Sequence, residues 1–419
     1  MSAAAVTFRP GDVSALIHRG VVAEHASSAS FLWLQREVQV RAPHVAVRHL
    51  ARVDGRLLAH LRGLELAGHC GWDTARRGLS DADAGVCFVL GYLAFGQGDE
   101  ERMVGALRLA LADPRFEAGV LDALRWLEVG RVGPRLQPFL HHEHPTIRRL
   151  MLAARCFHRM VDDAEVGAAL TMPDVSVRIT AVETAGALRM RALRPQVDLL
   201  SRDSHPGLGL AATLALAALG DAGPLMQRFH TMLSDPASEP LLARAIPAVF
   251  QFCTADWAVS TIRRLAADSA ATRLALLAVG TWGDPATMPW LLSLLEGPQA
   301  RQVGEAYALM TGVDLRWLDL HRDPPDAEGE PDEPMDAELP WPDADAVRGH
   351  WKQIAHNFRP GVRYLAGQPV TRASAVRLLR DGYQRQRLSA AWALMAQDPD
   401  ARLFPVHARA DLQAGWLRS

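Results

Sequence analysis

The sequence predicts an all-α fold, an α-solenoid (α-α superhelix) in which helical hairpins repeat along the chain. Helix starts recur at nearly constant intervals, and each interval holds two apolar stripes of helical period. Intervals of 30, 31, 30 and 31 residues separate five equivalent first-helix positions: Val86, Phe116, Ile147, Val177 and Leu208. Because a hairpin of about 30 residues cannot bury its own apolar faces, neighbouring hairpins are expected to stack.

Each repeat has the same internal order. A short loop with Asp, His or Pro opens it, and three loops show the pattern most clearly: Asp113-Pro114, His144-Pro145 and His205-Pro206. Proline suits the first turn of a helix because its missing N–H would have no helical partner there. A first helix rich in Ala, Leu and Val follows, then a Gly or polar break, then a shorter second helix. After Leu208 the spacing loosens, and QVGEAYALMTG at 302–312 is the last predicted first helix.

Four regions follow from this pattern. Residues 1–80 are predicted to be helical but out of phase, as an N-terminal cap, and residues 81–315 form the array. Residues 316–345 are rich in proline and carry eleven acidic and two basic residues, which predicts a disordered or extended loop. Residues 346–419 form a predicted helical tail with twelve basic and four acidic residues. The opposite charges suggest that the acidic segment packs on the tail.

Composition excludes several classes of protein. The net charge of −2 creates no overall attraction to nucleic acid or to an anionic membrane. The most apolar window, residues 208–220, is too short to span a bilayer, and the N-terminus lacks the pattern of a signal peptide. The four cysteines form no CxxC pair, which argues against a zinc ribbon and fits a reducing compartment. We therefore expect a cytoplasmic protein.

The repeats resemble HEAT repeats, and their short form is similar to the HEAT-like units of bilin lyases. This resemblance covers roughly residues 81–312. It implies a fold but no particular activity, because the same scaffold serves many unrelated tasks.

The ends of the chain carry a second resemblance. The segments ASFLWLQREVQVRAP, LARVDGRLLAHLRGLELAG, YALMTGVDL, LPWPD, GVRYLAGQPVT and YQRQRLSAAWALM are similar to an uncharacterised proteobacterial family of HEAT-repeat-like proteins. Genes of that family often lie beside those for type VI secretion spike proteins, effectors and PAAR-type tips. The resemblance implies an accessory role in type VI secretion, as an adaptor or a chaperone. Arg62 stands where the family motif carries an acidic residue.

Two polar groups are candidate sites. His141, His142, Glu143 and His144 are consecutive, whereas a helical zinc site needs its ligands on one face, so an inter-repeat loop is the favoured interpretation and a metal site the alternative. Arg52, Arg56 and His60 share one helix face. That face could hold an anionic partner, or it could be a solvated surface with Asp54 and Glu65 nearby.

A HEAT-fold enzyme, either bilin-lyase-like or DNA-glycosylase-like, and a nucleic-acid binder are the alternatives to a protein scaffold. A DNA-binding array would accumulate Arg and Lys on its second helices, but these are sparsely charged, with Arg263 and Arg264 the only adjacent pair. No nucleophile motif and no phosphate-binding glycine loop is recognisable. The sequence therefore assigns no catalytic, metal or cofactor-binding residue.

Four residues on or near the second helices are the predicted partner-binding residues: Trp257, Trp290, Arg228 and Arg263. Trp290 lies off the apolar stripe of its helix, which suits an exposed aromatic anchor. The sequence as a whole predicts a non-catalytic protein-binding scaffold that uses no cofactor and binds neither nucleic acid nor a membrane.

Overall fold

The computed structural model describes residues 17–325 and 334–418, and in them it contains 22 α-helices. In chain order they are α1 (Arg19–Gln39), α2 (Val47–Leu66), α3 (Gly68–Arg77), α4 (Ala84–Gln97), α5 (Glu100–Ala112), α6 (Pro114–Trp126), α7 (Val129–Leu136), α8 (Pro145–Phe157), α9 (Asp163–Leu170), α10 (Val175–Ala187), α11 (Arg194–Ser201), α12 (Pro206–Ala218), α13 (Gly223–Met232), α14 (Glu239–Phe252), α15 (Ala255–Ala266), α16 (Thr272–Trp282), α17 (Met288–Ser293), α18 (Ala300–Thr311), α19 (Ala344–Ile354), α20 (Arg372–Asp381), α21 (Gln384–Gln397) and α22 (Ala410–Trp416).

The described strands are four two-residue segments in two antiparallel ribbons. Strand β1 (His321–Arg322) pairs with β2 (Trp341–Pro342), and β3 (Tyr364–Leu365) pairs with β4 (Gln368–Pro369). The predicted all-α fold class is therefore confirmed. None of the described helices is both long and apolar enough to cross a membrane.

The predicted repeat positions all lie on first helices, which are α4, α6, α8, α10 and α12. The Asp or His that opens each repeat is a helix N-cap, because its side chain accepts a backbone N–H from the first turn. These caps are Asp83, Asp113, His144, Asp174 and His205. The polar loops of the sequence pattern thus mark where each first helix begins.

Small residues let successive first helices approach closely. A Cβ atom added to Gly91 would lie 3.0 Å from the Cβ of Ala123 on the next first helix. A Cβ atom added to Gly186 would lie 2.9 Å from the Cα of Ala215, and one added to Gly280 would lie 3.0 Å from the Cα of Ala306. Larger side chains at these glycines would push the helices apart.

Contacts divide the described residues into two compact units, one with residues 17–38 and 50–160 and the other with residues 39–49, 161–325 and 334–418. The first unit has an aromatic core in which Phe88 stacks on Trp33 and meets Trp126 edge to face, with ring centroids 5.4 and 5.5 Å apart. In the same unit, buried Arg36 donates to Asp54 over 2.6 Å. The predicted boundaries at residues 80, 315 and 345 stay predictions.

In the second unit, the tail packs against the ends of three first helices, α14, α16 and α18. The backbone N–H of Tyr364 donates to the carbonyl of Gly283 over 2.8 Å, and that of Ala366 donates to Leu309 over 2.7 Å. Arg363 places its guanidinium 4.3 Å from the ring centroid of Trp282 and donates to Gln251 over 2.6 Å. The tail therefore covers the carboxyl-terminal edge of these helices.

The described part of the acidic segment also packs on this unit. Asp336 is buried and accepts from Arg273 on α16 and from Gln302 on α18, and it lies 3.5 Å from Arg385 of the tail. Leu339 and Trp341 are buried as well. Residues 334–342 thus contact both the array and the tail, and residues 326–333 lie outside the described residues.

Candidate protein-binding surface

The four predicted partner-binding residues lie on three second helices, α13, α15 and α17, and only Arg263 is exposed. Arg228 donates its Nη2 to the carbonyls of Ser201 and Asp203, over 2.8 and 3.1 Å. It therefore provides hydrogen-bond donors for backbone carbonyls at the carboxyl-terminal end of α11. Such a contact stabilises the fold and leaves the guanidinium engaged within the unit.

Trp257 belongs to an aromatic cluster. Its ring stacks on His230 with centroids 5.0 Å apart and meets Phe229 and Phe250 at 5.6 Å. Trp290 is partly buried against the core of the second unit. Neither indole is presented to solvent in the way that an exposed anchor requires.

A different tryptophan is exposed to solvent. Trp317 is 86 % exposed, more than any other large apolar side chain in the described residues, and the adjacent Leu318 is 44 % exposed. Both lie in the turn between α18 and β1, which we call the Trp317 turn (residues 314–320). Contiguous exposed apolar surface is one mark of a protein–protein interaction site.

The Trp317 turn is held at both ends. Asp314 accepts the backbone N–H groups of Arg316 and Trp317 on its Oδ1, over 3.0 and 3.1 Å. Leu320 donates its N–H to the carbonyl of Leu315 over 2.8 Å, and both leucines are buried in the core. The backbone that carries Trp317 is therefore fixed by hydrogen bonds and by two buried anchors.

A small cleft lies beneath the turn. The hydroxyl of Tyr383 donates to the other oxygen of Asp314 over 3.1 Å, and its ring meets the edge of His44 with centroids 6.4 Å apart. Burial, followed by the hydrogen bond to Asp314, raises the pKa of Tyr383. Glu305 on the cleft wall pairs with Arg385 over 3.4 Å. These contacts join the turn and α18 to the tail.

The cleft also contains the Nε2 atom of His44, which is buried and has no hydrogen-bond partner among the described residues. The acid and the phenol beside it are already paired with each other, so the arrangement offers no free nucleophile and base in contact. Among the described residues, no three His, Cys, Asp or Glu side chains are placed to hold a metal ion. The geometry favours a supporting role for the cleft.

The histidine cluster at 141–144 lies in the loop before α8. The Nδ1 of His142 accepts the N–H of His144 over 3.0 Å, and the Nδ1 of His144 accepts the N–H of Thr146 over 3.3 Å. Arg148 donates to the carbonyls of His142 and Glu143. Two of the three imidazoles therefore accept backbone hydrogen bonds, one within the loop and one at the helix N-cap.

Trp317 was not among the predicted partner-binding residues because it lies at the start of the segment whose composition predicts a disordered or extended loop. A signal was nonetheless present. The run DLRWLDL at 314–320 places an Asp three residues before an adjacent Trp-Leu pair, and flanks the pair with Leu315 and Leu320. Asp is typical of the first position of a capped turn.

No protein-family model matches this chain, and no curated protein sequence matches it. The function of the chain is therefore inferred from its own residues and their geometry. Among the described surfaces, the Trp317 turn combines the greatest apolar exposure with a fixed backbone.

Proposed function

We propose that the protein is a non-catalytic scaffold that binds another protein, and that Trp317 anchors the partner. The exposure of this indole on a fixed turn is the observation that carries the proposal. Burial of about 200 Å² of aromatic surface contributes about 5 kcal/mol before ordering costs. Because Asp314, Leu315 and Leu320 already hold the turn, little backbone freedom is lost on binding.

The surroundings of the turn indicate the chemistry of the partner. Asp319 and Asp323 are exposed and lie within six residues of Trp317, and so do the exposed Arg316 and Arg322. Opposite charge at the rim of an interface raises the association rate and selects partners. We therefore propose a partner with an apolar pocket for the indole and with both acidic and basic side chains around that pocket.

The cellular role is proposed from the resemblance of the chain ends. Their similarity to the proteobacterial family encoded near type VI secretion genes supports an adaptor or chaperone for a spike, PAAR-type tip or effector. Such a role places the protein in the cytoplasm. The spacing of the hairpins and the close Gly–Ala contacts support the HEAT-like type of repeat for this scaffold.

The test is an affinity pull-down of the tagged protein from its native cell extract, followed by mass spectrometry. Wild type and a control variant, Leu199→Ala, are expected to recover a spike, PAAR-type or effector protein that Trp317→Ala loses. Leu199 is a suitable control because it is also apolar and 71 % exposed but lies on α11. Equal recovery by all three proteins, or recovery of no protein, would overturn the proposal.

A further inference from the structure

The exposed face of helix α2 in the first unit has an unusual composition. Between residues 50 and 66, every exposed residue except one is an arginine, an alanine or a glycine, and the exception is Leu66 near the end. The exposed positions are Ala51, Arg52, Gly55, Arg56, Ala59, Arg62 and Leu66. We call this surface the Arg face. It carries three positive charges and no carboxylate.

The acidic residues of the same helix point elsewhere. Asp54 is buried and accepts from Arg36 over 2.6 Å, while Glu65 pairs with Arg131 over 2.7 Å. The sequence left open that this face is an ordinary solvated surface, in which Asp54 and Glu65 neutralise Arg52 and Arg56. Both are committed to other arginines, and no ion pair of Arg52 or Arg56 is present among the described residues. No carboxylate of α2 is therefore paired with Arg52 or Arg56.

A strip of small residues runs along the middle of the Arg face. Ala51, Gly55 and Ala59 follow one another at intervals of four residues and so form one row of the helix surface. A Cβ atom added to Gly55 would have no neighbour within 4 Å. Arg52 and Arg56 belong to the adjacent row, and Arg62 lies in the row on the other side. The face is a shallow apolar strip with guanidinium groups along both borders.

We propose that the Arg face binds an acidic α-helix of a partner protein. The backbone of that helix packs over Ala51, Gly55 and Ala59, since small residues permit helix axes to lie about 8 Å apart. Carboxylates on the partner helix meet Arg52, Arg56 and Arg62, whose planar guanidinium groups pair with two oxygens at once. This surface lies in the first unit and does not depend on the Trp317 site.

The observations favour a protein helix over nucleic acid. The three arginines span about 15 Å of one helix, whereas nucleic-acid sites combine many cations over a longer surface. A strip of small residues serves helix packing but contributes nothing to phosphate binding.

The experiment uses full-length protein and fluorescence anisotropy of a labelled alanine-based helical peptide with Glu at every fourth position. Wild type is expected to bind it, and Arg52→Glu/Arg56→Glu is expected to lose at least about tenfold in affinity. The matched control, Arg76→Glu/Arg77→Glu, changes the net charge equally at two exposed arginines of α3 and is expected to bind like wild type. A peptide with Lys in place of Glu is expected to bind the Arg52→Glu/Arg56→Glu protein instead.

Several results would overturn the proposal. An equal loss of peptide affinity in the control variant would show that binding depends only on the net charge of the protein. Equal affinity for a proline-interrupted peptide with the same number of Glu residues would exclude recognition of a helix. A single-stranded oligonucleotide or phosphatidylglycerol vesicles could bind more tightly than the helical peptide and lose that binding with Arg52→Glu/Arg56→Glu. This result would show that the face binds phosphate groups. Absence of binding to the helical peptide would also reject it, without affecting the pull-down result for Trp317→Ala.

Discussion

Two tryptophans of the second unit have opposite environments. Trp282, at the end of α16, is 5 % exposed because the guanidinium of Arg363, in the tail, packs over its ring. Trp317, a few residues beyond the end of α18, is 86 % exposed although its backbone is equally well held. The tail covers the first, and none of the residues that the structure describes covers the second. Exposure at the Trp317 turn is therefore a local feature of a unit whose tail covers Trp282.

The largest expected effect is on the covered edge. Gly283 has φ of +71°, and a Cβ there would collide with the carbonyl oxygen of Tyr364. Gly283→Ala is therefore expected to lower the free energy of unfolding by about 3 kcal/mol or more. Urea denaturation checks this, with Gly349→Ala as control because its added Cβ meets no atom within 4 Å. An unchanged urea midpoint for Gly283→Ala would mean that the tail does not pack on α16.

The cover itself can be removed by one substitution. Arg363→Ala removes the cation–π contact with Trp282 and leaves Gln251 without its donor, which is expected to cost about 2 kcal/mol of unfolding free energy. Burial lowers the pKa of Arg363 to about 10, so the group is still charged at neutral pH. Arg359→Ala, at an exposed position of the same segment, is expected to change little. Tryptophan fluorescence quenching by acrylamide should rise for Arg363→Ala only.

The support of the Trp317 turn is expected to have a smaller effect, on binding. Asp314→Ala removes the acceptor of two backbone N–H groups and of Tyr383, and is expected to weaken the partner affinity about tenfold, or about 1.4 kcal/mol. Asp314→Asn keeps a carbonyl oxygen for the turn and is expected to retain most of the affinity. If both variants bind like wild type, preorganisation of the turn does not contribute.

Acidification is expected to destabilise the first unit. Burial, as the leading cause, lowers the pKa of His60 and of His158 below the ordinary value of 6.5. Because the unfolded chain then takes up protons more readily than the folded one, the unfolding free energy is expected to fall as pH drops below 6.5. Thermal unfolding between pH 7 and 5 measures the slope, which His158→Gln should reduce. A flat profile in the wild type would contradict the lowered pKa values.

The smallest expected effect concerns the Arg face. Gly55→Ala removes a flexible residue from the middle of α2 at a position with open space, and is expected to stabilise the protein by about 0.5 to 1 kcal/mol. Thermal unfolding checks this. A loss of stability would show that the surface above Gly55 is already occupied by the chain.

Periodicity predicted the repeats well because helix starts and caps are local features. Asp113 and His144 open first helices as expected, since a cap acts on N–H groups two or three residues away. The tail's contact with Gly283 could not be predicted, because it joins residues 81 positions apart through backbone atoms that carry no sequence signal.

The predicted partner-binding residues stay predictions. Trp257 and Trp290 were chosen because they lie on second helices, but helix membership does not specify which side chains neighbours cover. Trp317 was overlooked because low apolar content indicates disorder only when no distant core accepts the few apolar residues present. Here Leu315 and Leu320 reach such a core and hold the turn between them.

The most direct test is a calorimetric titration of the purified partner, once recovered, against Trp317→Ala and Trp290→Ala. We predict that Trp317→Ala weakens binding about a hundredfold, or about 2.7 kcal/mol, while Trp290→Ala stays within about twofold of wild type. The opposite result is a weakened partner affinity for Trp290→Ala and an unchanged affinity for Trp317→Ala. It would contradict the claim that Trp317 anchors the partner and would indicate that the second helices form the binding surface.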